Sequence, residues 1–130
     1  MTKEERIKKA LECKHNGYNC CQAVTAALGD LTTLDEEELL NISAGFGAGM
    51  GNMEGSCGAL VGAALVAGMH TKGNGSMRVA RQISERFSQM CGATVCKDIK
   101  GMATGRPLCP CDDCVQNAVR IFCEVLGIGE

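Results

Sequence analysis

The chain has 130 residues, 13 Lys and Arg against 15 Asp and Glu, and a formal net charge of −2. That balance supplies no basic patch to grip nucleic acid or an anionic membrane, so the sequence predicts neither as a partner. The length fits one domain over residues 1–130 with its own hydrophobic core.

The opening Met1-Thr2-Lys3-Glu4-Glu5-Arg6 alternates charge and has no apolar signal region. The apolar run from Cys57 to Met69 is shorter than the roughly 20 residues a spanning helix needs. Both features predict a soluble, cytoplasmic protein. Ten cysteines stand at positions 13, 20, 21, 57, 91, 96, 109, 111, 114 and 123. In a reducing compartment a disulfide framework is not the default, so metal binding or redox chemistry leads, with burial as small apolar side chains the alternative. Cys13 and Cys123 fit the alternative best. Three Phe, one Tyr and no Trp leave the core to helices that approach closely over Gly, Ala and Met.

In chain order, Thr2-x-x-Glu5 is a capping box that opens a helix to about Cys13, with Ile7, Ala10 and Leu11 as its apolar stripe. His15-Asn16-Gly17 ends it. Asn19 caps a second helix to Leu28 and sets Cys20 at its start, where Cys20 and Cys21 diverge and one of them faces the site. Thr33 caps a third helix ending near Ala44, with Leu39, Leu40 and Ile42 inward.

Glycine at positions 45, 47, 49 and 51 then sets a loop that neither a helix nor a packed strand would choose. Ser56 is the expected N-cap of a central apolar helix to Met69, with Cys57 at its first position among unpaired amides. Such a place favours a thiolate, so Cys57 is the expected low-pKa thiol. Gly58-x-x-x-Gly62 gives this helix a face of small residues.

His70 to Gly75 breaks the chain, and Val79, Ile83 and Phe87 mark a long amphipathic helix from Ser76 to about Gln89. A short helical segment spans Val95 to Ile99, a loop runs from Gly101 to Pro110, and the last helix covers Cys111 to Leu126 until Gly127 stops it. No stretch alternates as a strand does. The expected architecture is an all-α, single-domain bundle of five or six helices, with the glycine-rich loop before the central helix.

Cys109-Pro110-Cys111-Asp112-Asp113-Cys114 concentrates thiols at the start of the last helix. Its Cys-x-x-Cys can close a reversible disulfide or give two thiolates to zinc or an iron–sulfur cluster, with other cysteines completing the set. Covalent haem attachment needs His after that motif, and Val115 stands there. Cys91 and Cys96, five apart, suit neither one helix face nor a metal knuckle. His15 and His70 read as helix-end residues. The glycine loop lacks the preceding strand and the Gly-Lys-Ser/Thr of a phosphate cradle, so it reads as a tight loop that brings backbone against Cys57.

Taken in order, Asn19-Cys20-Cys21-Gln22-Ala23-Val24, Gly45-Phe46-Gly47-Ala48-Gly49-Met50-Gly51, Cys57-Gly58-Ala59-Leu60-Val61-Gly62, Cys96-Lys97-Asp98-Ile99 and Cys114-Val115 resemble the C_GCAxxG_C_C family, from Tyr18 to Leu126. The resemblance implies a redox-active protein whose four shared cysteines fall on Cys20, Cys57, Cys96 and Cys114. Those four are the expected catalytic thiols, or the ligands of an iron–sulfur cluster or zinc if the site binds metal, with Cys111 as a further candidate. Three functions are carried forward: thiol–disulfide exchange or electron transfer, a metal or iron–sulfur carrier, and a structural or partner-binding module. The first calls for a redox partner protein or a small-molecule electron donor. The small-residue helix faces leave a homodimer open.

Overall fold

The computed structural model describes residues 1–129, and the local signals just named account for most of its seven α-helices. They are α1 (Lys3–His15), α2 (Cys20–Ala27), α3 (Glu36–Ser43), α4 (Gly58–Thr71), α5 (Ser76–Cys91), α6 (Cys96–Ile99) and α7 (Cys111–Leu126). No strand forms among the described residues, and a single antiparallel bridge joins Ser56 to Val95. The fold is all-α, and the count exceeds the expected five or six because the four-residue α6 is a helix in its own right.

Capping boxes start α1 at Thr2 with Glu5 and α2 at Asn19 with Gln22. For α3 the cap is Asp35 with Glu38, two residues beyond the expected Thr33. Thr33 is bypassed because the Asp35 carboxylate accepts from the Glu38 amide at 2.8 Å and Glu38 answers to the Asp35 amide. In α3 only Leu39 of the expected three apolar residues is buried, while Leu40 is half-buried and Ile42 is exposed. Cys57 itself, not Ser56, is the N-cap of α4: Ser56 is drawn into the bridge with Val95, and the helix begins at Gly58. Left-handed residues end three helices, Lys72 after α4, Gly92 after α5 and Gly127 after α7.

The core runs through α2, α4, α5 and α7, where Val24, Leu28, Val66, Ile83, Phe87, Val119, Ile121 and Phe122 are fully buried. Burial of each such side chain contributes roughly 1.5–3 kcal/mol. Helix α4 lies against α2 along its small-residue face: a Cβ added to Gly62 would stand 3.0 Å from the Cys21 carbonyl and 3.1 Å from Val24. No larger residue could keep those two backbones so close. Arg6 is a buried exception, held by the carboxylate of Asp30 and the carbonyl of Ala27.

Between α3 and α4 the chain makes a 3-10 turn at Ala44–Phe46 and a wider, π-type turn at Gly49–Met53. Ala48, Gly49, Met50, Gly51 and Met53 all have positive φ. For the three non-glycine residues that conformation costs roughly 1–2 kcal/mol each. Its closest approaches are to Asn19, through Gly47, and to Cys96, through Gly49. The loop therefore packs over the start of α2 and of α6, while its Ala48 lines one cavity with Cys57 and the Phe46 carbonyl lies against Gly58. No helix among the described residues is long and apolar enough to cross a membrane.

Candidate functional site

Chain direction decides where the thiols go. Cys20 is the first residue of α2, Cys57 caps α4, Cys96 opens α6, Cys111 opens α7 and Cys114 lies in its first turn. Two short backbone pairings register these ends. The Cys57 amide donates to the Thr94 carbonyl at 2.7 Å and the Cys96 amide to the Gly55 carbonyl at 2.9 Å, which clamps residues 55–57 against 94–96. The Leu108 amide then donates to the Ile99 carbonyl at 2.8 Å and brings Cys109 alongside α6.

The result is one cavity of about 160 Å3 lined by Cys20, Cys57, Cys96, Cys109, Cys111 and Cys114. Lys14, Asn19, Ala48, Ile99 and Lys100 complete the wall. All four cysteines singled out by sequence, Cys20, Cys57, Cys96 and Cys114, thus meet in one place although they are spread over most of the chain. Cys111, the further candidate, joins them. Cys91 stands behind this wall: its sulfur and those of Cys109 and Cys114 lie within 4.8 Å of one another, all three residues are buried, and the group could hold a metal ion. Cys13, Cys21 and Cys123 are not part of the cavity wall. All ten side chains are free thiols.

Five of the cavity thiols, with Cys91 behind them, stand as neighbours that shift one another's hold on a proton. Cys111 and Cys57 donate to Cys20, Cys114 stands between Cys57 and Cys91, and Cys109 joins Cys91 and Cys114. Two of these sulfurs, Cys20 and Cys91, are shifted toward the thiolate. Hydrogen bonds from Cys111 and Cys57, with the Ala48 amide assisting, hold Cys20 far below the ordinary thiol value against the cost of its burial. The neighbouring Cys114 thiol, aided by Asn117 and Cys109, brings Cys91 down to about 6.

The donors move the other way. The Cys114 thiol by itself would lower Cys57, but giving its proton to Cys20, burial and the Cys20 charge outweigh that and push Cys57 up to about 12. The Cys20 sulfur and burial raise Cys111, while the Cys57 and Cys91 sulfurs, with burial, raise Cys114, whose single S–H donates to the Cys109 carbonyl at 3.8 Å. Burial, first of all, lifts Cys109 to about 11 and raises Cys96.

The lowered thiol is therefore Cys20 and not Cys57, the expected low-pKa one. Both thiols sit at helix starts, so the helix dipole does not choose between them. The choice falls to Cys20 because two thiols and the amide of the left-handed Ala48 converge on it. Sequence reasoning missed Cys91, Cys109 and Asn117. A signal did exist for Asn117, which lies three residues after Cys114 and so on the same face of α7. Its amide nitrogen is 3.4 Å from the Cys91 sulfur and 3.9 Å from that of Cys109. Lys14 and Lys100, remote in sequence, bring positive charge to the thiolate cavity.

Compared with known protein families, residues 18–125 match the model described as "Putative redox-active protein (C_GCAxxG_C_C)". The chain belongs to the C_GCAxxG_C_C family. Comparison with curated proteins and with solved structures finds no match. Within this family member, the matched span contains every cysteine of the cavity and, but for the last residue of α7, every helix that positions one.

Proposed function

We propose that this C_GCAxxG_C_C protein handles electrons by thiol–disulfide exchange in the cavity, with Cys20 as the attacking thiolate and Cys57 as its resolving partner. The observation that carries the reading is the meeting of Cys20 and Cys57 in one cavity where α2 meets α4, so close that a Cβ on Gly58, the residue after Cys57, would stand 2.6 Å from the Cys20 sulfur. A thiolate held by its own resolving thiol is prepared for two successive displacements. Cys20 sulfur attacks a partner disulfide, one partner thiolate leaves, and a mixed disulfide forms. Cys57, its proton passed to a base or to solvent, then attacks Cys20 sulfur and releases the second partner thiolate. The protein loses two electrons and the one proton of Cys57 in becoming a Cys20–Cys57 disulfide, and the partner disulfide gains the two electrons and leaves as two thiolates, which take up the Cys57 proton and one from solvent to become thiols. The partner is a redox protein or a small-molecule disulfide or dithiol, and Lys14 and Lys100 at the wall favour an anionic one.

Trapping tests this reading. A Cys57→Ala variant exposed to a low-molecular-weight disulfide accumulates a mixed disulfide on Cys20, while the natural protein forms the internal bridge and releases both small thiols. A mixed disulfide spread over other cysteines, or none at all, contradicts it.

A second reading, a thiolate-bound iron–sulfur cluster or zinc, is favoured by the burial of the donors. Cys20, Cys57, Cys96 and Cys114 would hold the group, with Cys111 beside them, and an iron–sulfur cluster would supply reversible one-electron storage there. The donors are all sulfur, as a soft metal group prefers, but among the described residues only Cys91, Cys109 and Cys114 bring their sulfurs within 4.8 Å of one another, so a single zinc ion shared by Cys20, Cys57, Cys96 and Cys114 is disfavoured. Anoxic purification followed by metal analysis and visible absorption separates the two, since a colourless, metal-free protein that still closes the Cys20–Cys57 bridge supports the first.

A further inference from the structure

We infer that Cys91, Cys109 and Cys114 form a second site, separate from the Cys20–Cys57 pair, that takes one thiophilic cation such as Zn2+, with Asn117 as its positioning residue. Three elements deliver the ligands: the last residue of α5, the loop before α7 and the first turn of α7. Their sulfurs lie within 4.8 Å of one another. A triangle of sulfurs on the order of 4 Å on edge has its centre about 2.3 Å from each, which is the zinc–thiolate bond length.

The residues are 1%, 7% and 1% exposed, so a set of thiolates there needs a cation or strong donors to offset the loss of water. Asn117 supplies donors. Its amide N–H groups point at the sulfurs of Cys91 and Cys109, which are poor acceptors as thiols and good ones as thiolates or metal ligands. Hydrogen bonds of this kind orient ligands and tune their basicity. With only sulfur in the set, soft cations are selected, and the oxygen-seeking Mg2+ and Ca2+ are not. Three protein ligands leave the fourth position of a tetrahedral zinc to an outside ligand.

Cys91 and Cys109 lie outside the four positions of the family pattern, and neither takes part in the Cys20–Cys57 exchange. The inference therefore does not depend on that reading. Cys114 is the one thiol that touches both groups.

Titration of the reduced, metal-free protein with Zn2+, and with Cd2+ read by its thiolate absorption in the ultraviolet, tests the site under anoxic conditions. The Cys91→Ala/Cys109→Ala double variant is expected to bind one equivalent fewer than the natural protein while still closing the Cys20–Cys57 disulfide. Should the double variant not fold, the single variants Cys91→Ala and Cys109→Ala report the same loss. Asn117→Leu keeps all three thiols and is expected to weaken this equivalent by about 10- to 100-fold. Equal stoichiometry and affinity in natural and variant proteins overturns the site. Loss of the Cys20–Cys57 bridge in the natural protein with the extra equivalent intact overturns the exchange reading alone.

Discussion

A Cβ on Gly58 would stand 2.6 Å from the sulfur of Cys20 and 2.9 Å from the carbonyl oxygen of Phe46. The Cys20 thiol thus occupies the space that any other residue at the start of α4 would claim. Gly58→Ala is expected to lower stability by about 1–3 kcal/mol through overpacking, despite alanine's better helix propensity. Gly68, in the same helix with no neighbour within 4 Å of its added Cβ, is the control. There the substitution should stabilise by about 0.5–1 kcal/mol. Urea unfolding of the two variants measures both, and equal effects would mean that α2 and α4 do not meet as described.

The Cys20 thiol is lowered by its donors, so its thiolate persists as pH falls below the ordinary thiol value of 9.0. Alkylation of Cys20 by iodoacetamide should accordingly hold its rate from pH 9 to 7. Removal of both donors in Cys57→Ala/Cys111→Ala should make that rate fall about tenfold per pH unit, as for an unassisted thiol. Peptide mapping of the alkylated site checks this, and a steep pH dependence in the natural protein would count against the thiolate at Cys20.

In the loop over the cavity, Gly49 has φ of +57° and its added Cβ would lie 2.5 Å from that of Cys96. Gly49→Ala combines backbone strain with a clash, for an expected loss of about 2–4 kcal/mol. Gly51, at φ of +82° with nothing within 4 Å, carries the strain alone, and its alanine variant should lose about 1–2 kcal/mol. Thermal unfolding of both distinguishes strain from contact. If the two variants lose the same amount, the loop does not lean on Cys96.

Much of this arrangement is legible in the chain because local rules govern it. Two of the three capping boxes, the left-handed stop at Gly127 and the four-residue apolar recurrence in α5 are all short-range signals, and each falls where its chemistry places it. Cys20, Cys57 and Cys114 could be named from their places near helix starts, whereas Cys96 came only from the family resemblance. Long-range pairing escaped. Nothing near Ser56 announces that Val95 will draw it from its capping position, and nothing in the spacing of Cys91 and Cys109 tells that a loop hydrogen-bonded to Ile99 will bring them together. Which sulfur keeps the proton is likewise decided by neighbours distant in sequence, Cys111 above all.

Arg6 illustrates the same limit in the scaffold. It lies on the buried side of α1, paired with Asp30 and the Ala27 carbonyl. Arg6→Met should cost about 1–2 kcal/mol, mainly from the hydrogen bonds lost. The guanidinium holds the Asp30 carboxyl below its ordinary 3.8. A carboxyl lowered by folding stabilises above its unfolded value and loses that contribution as pH falls through the folded one. The natural protein and the Arg6→Met variant should therefore converge in stability below about pH 4. Acid titrations of denaturant midpoints that stay parallel across that range would show that the pair contributes nothing.

Equilibration of the reduced protein against dithiol and disulfide redox buffers without oxygen, with alkylation and peptide mapping at each potential, tests the thiol-exchange account most directly. The account predicts one two-electron transition that yields a Cys20–Cys57 linked peptide and disappears in Cys20→Ser and in Cys57→Ser. A transition unchanged in those variants, or thiols that stay reduced at every potential, would contradict it.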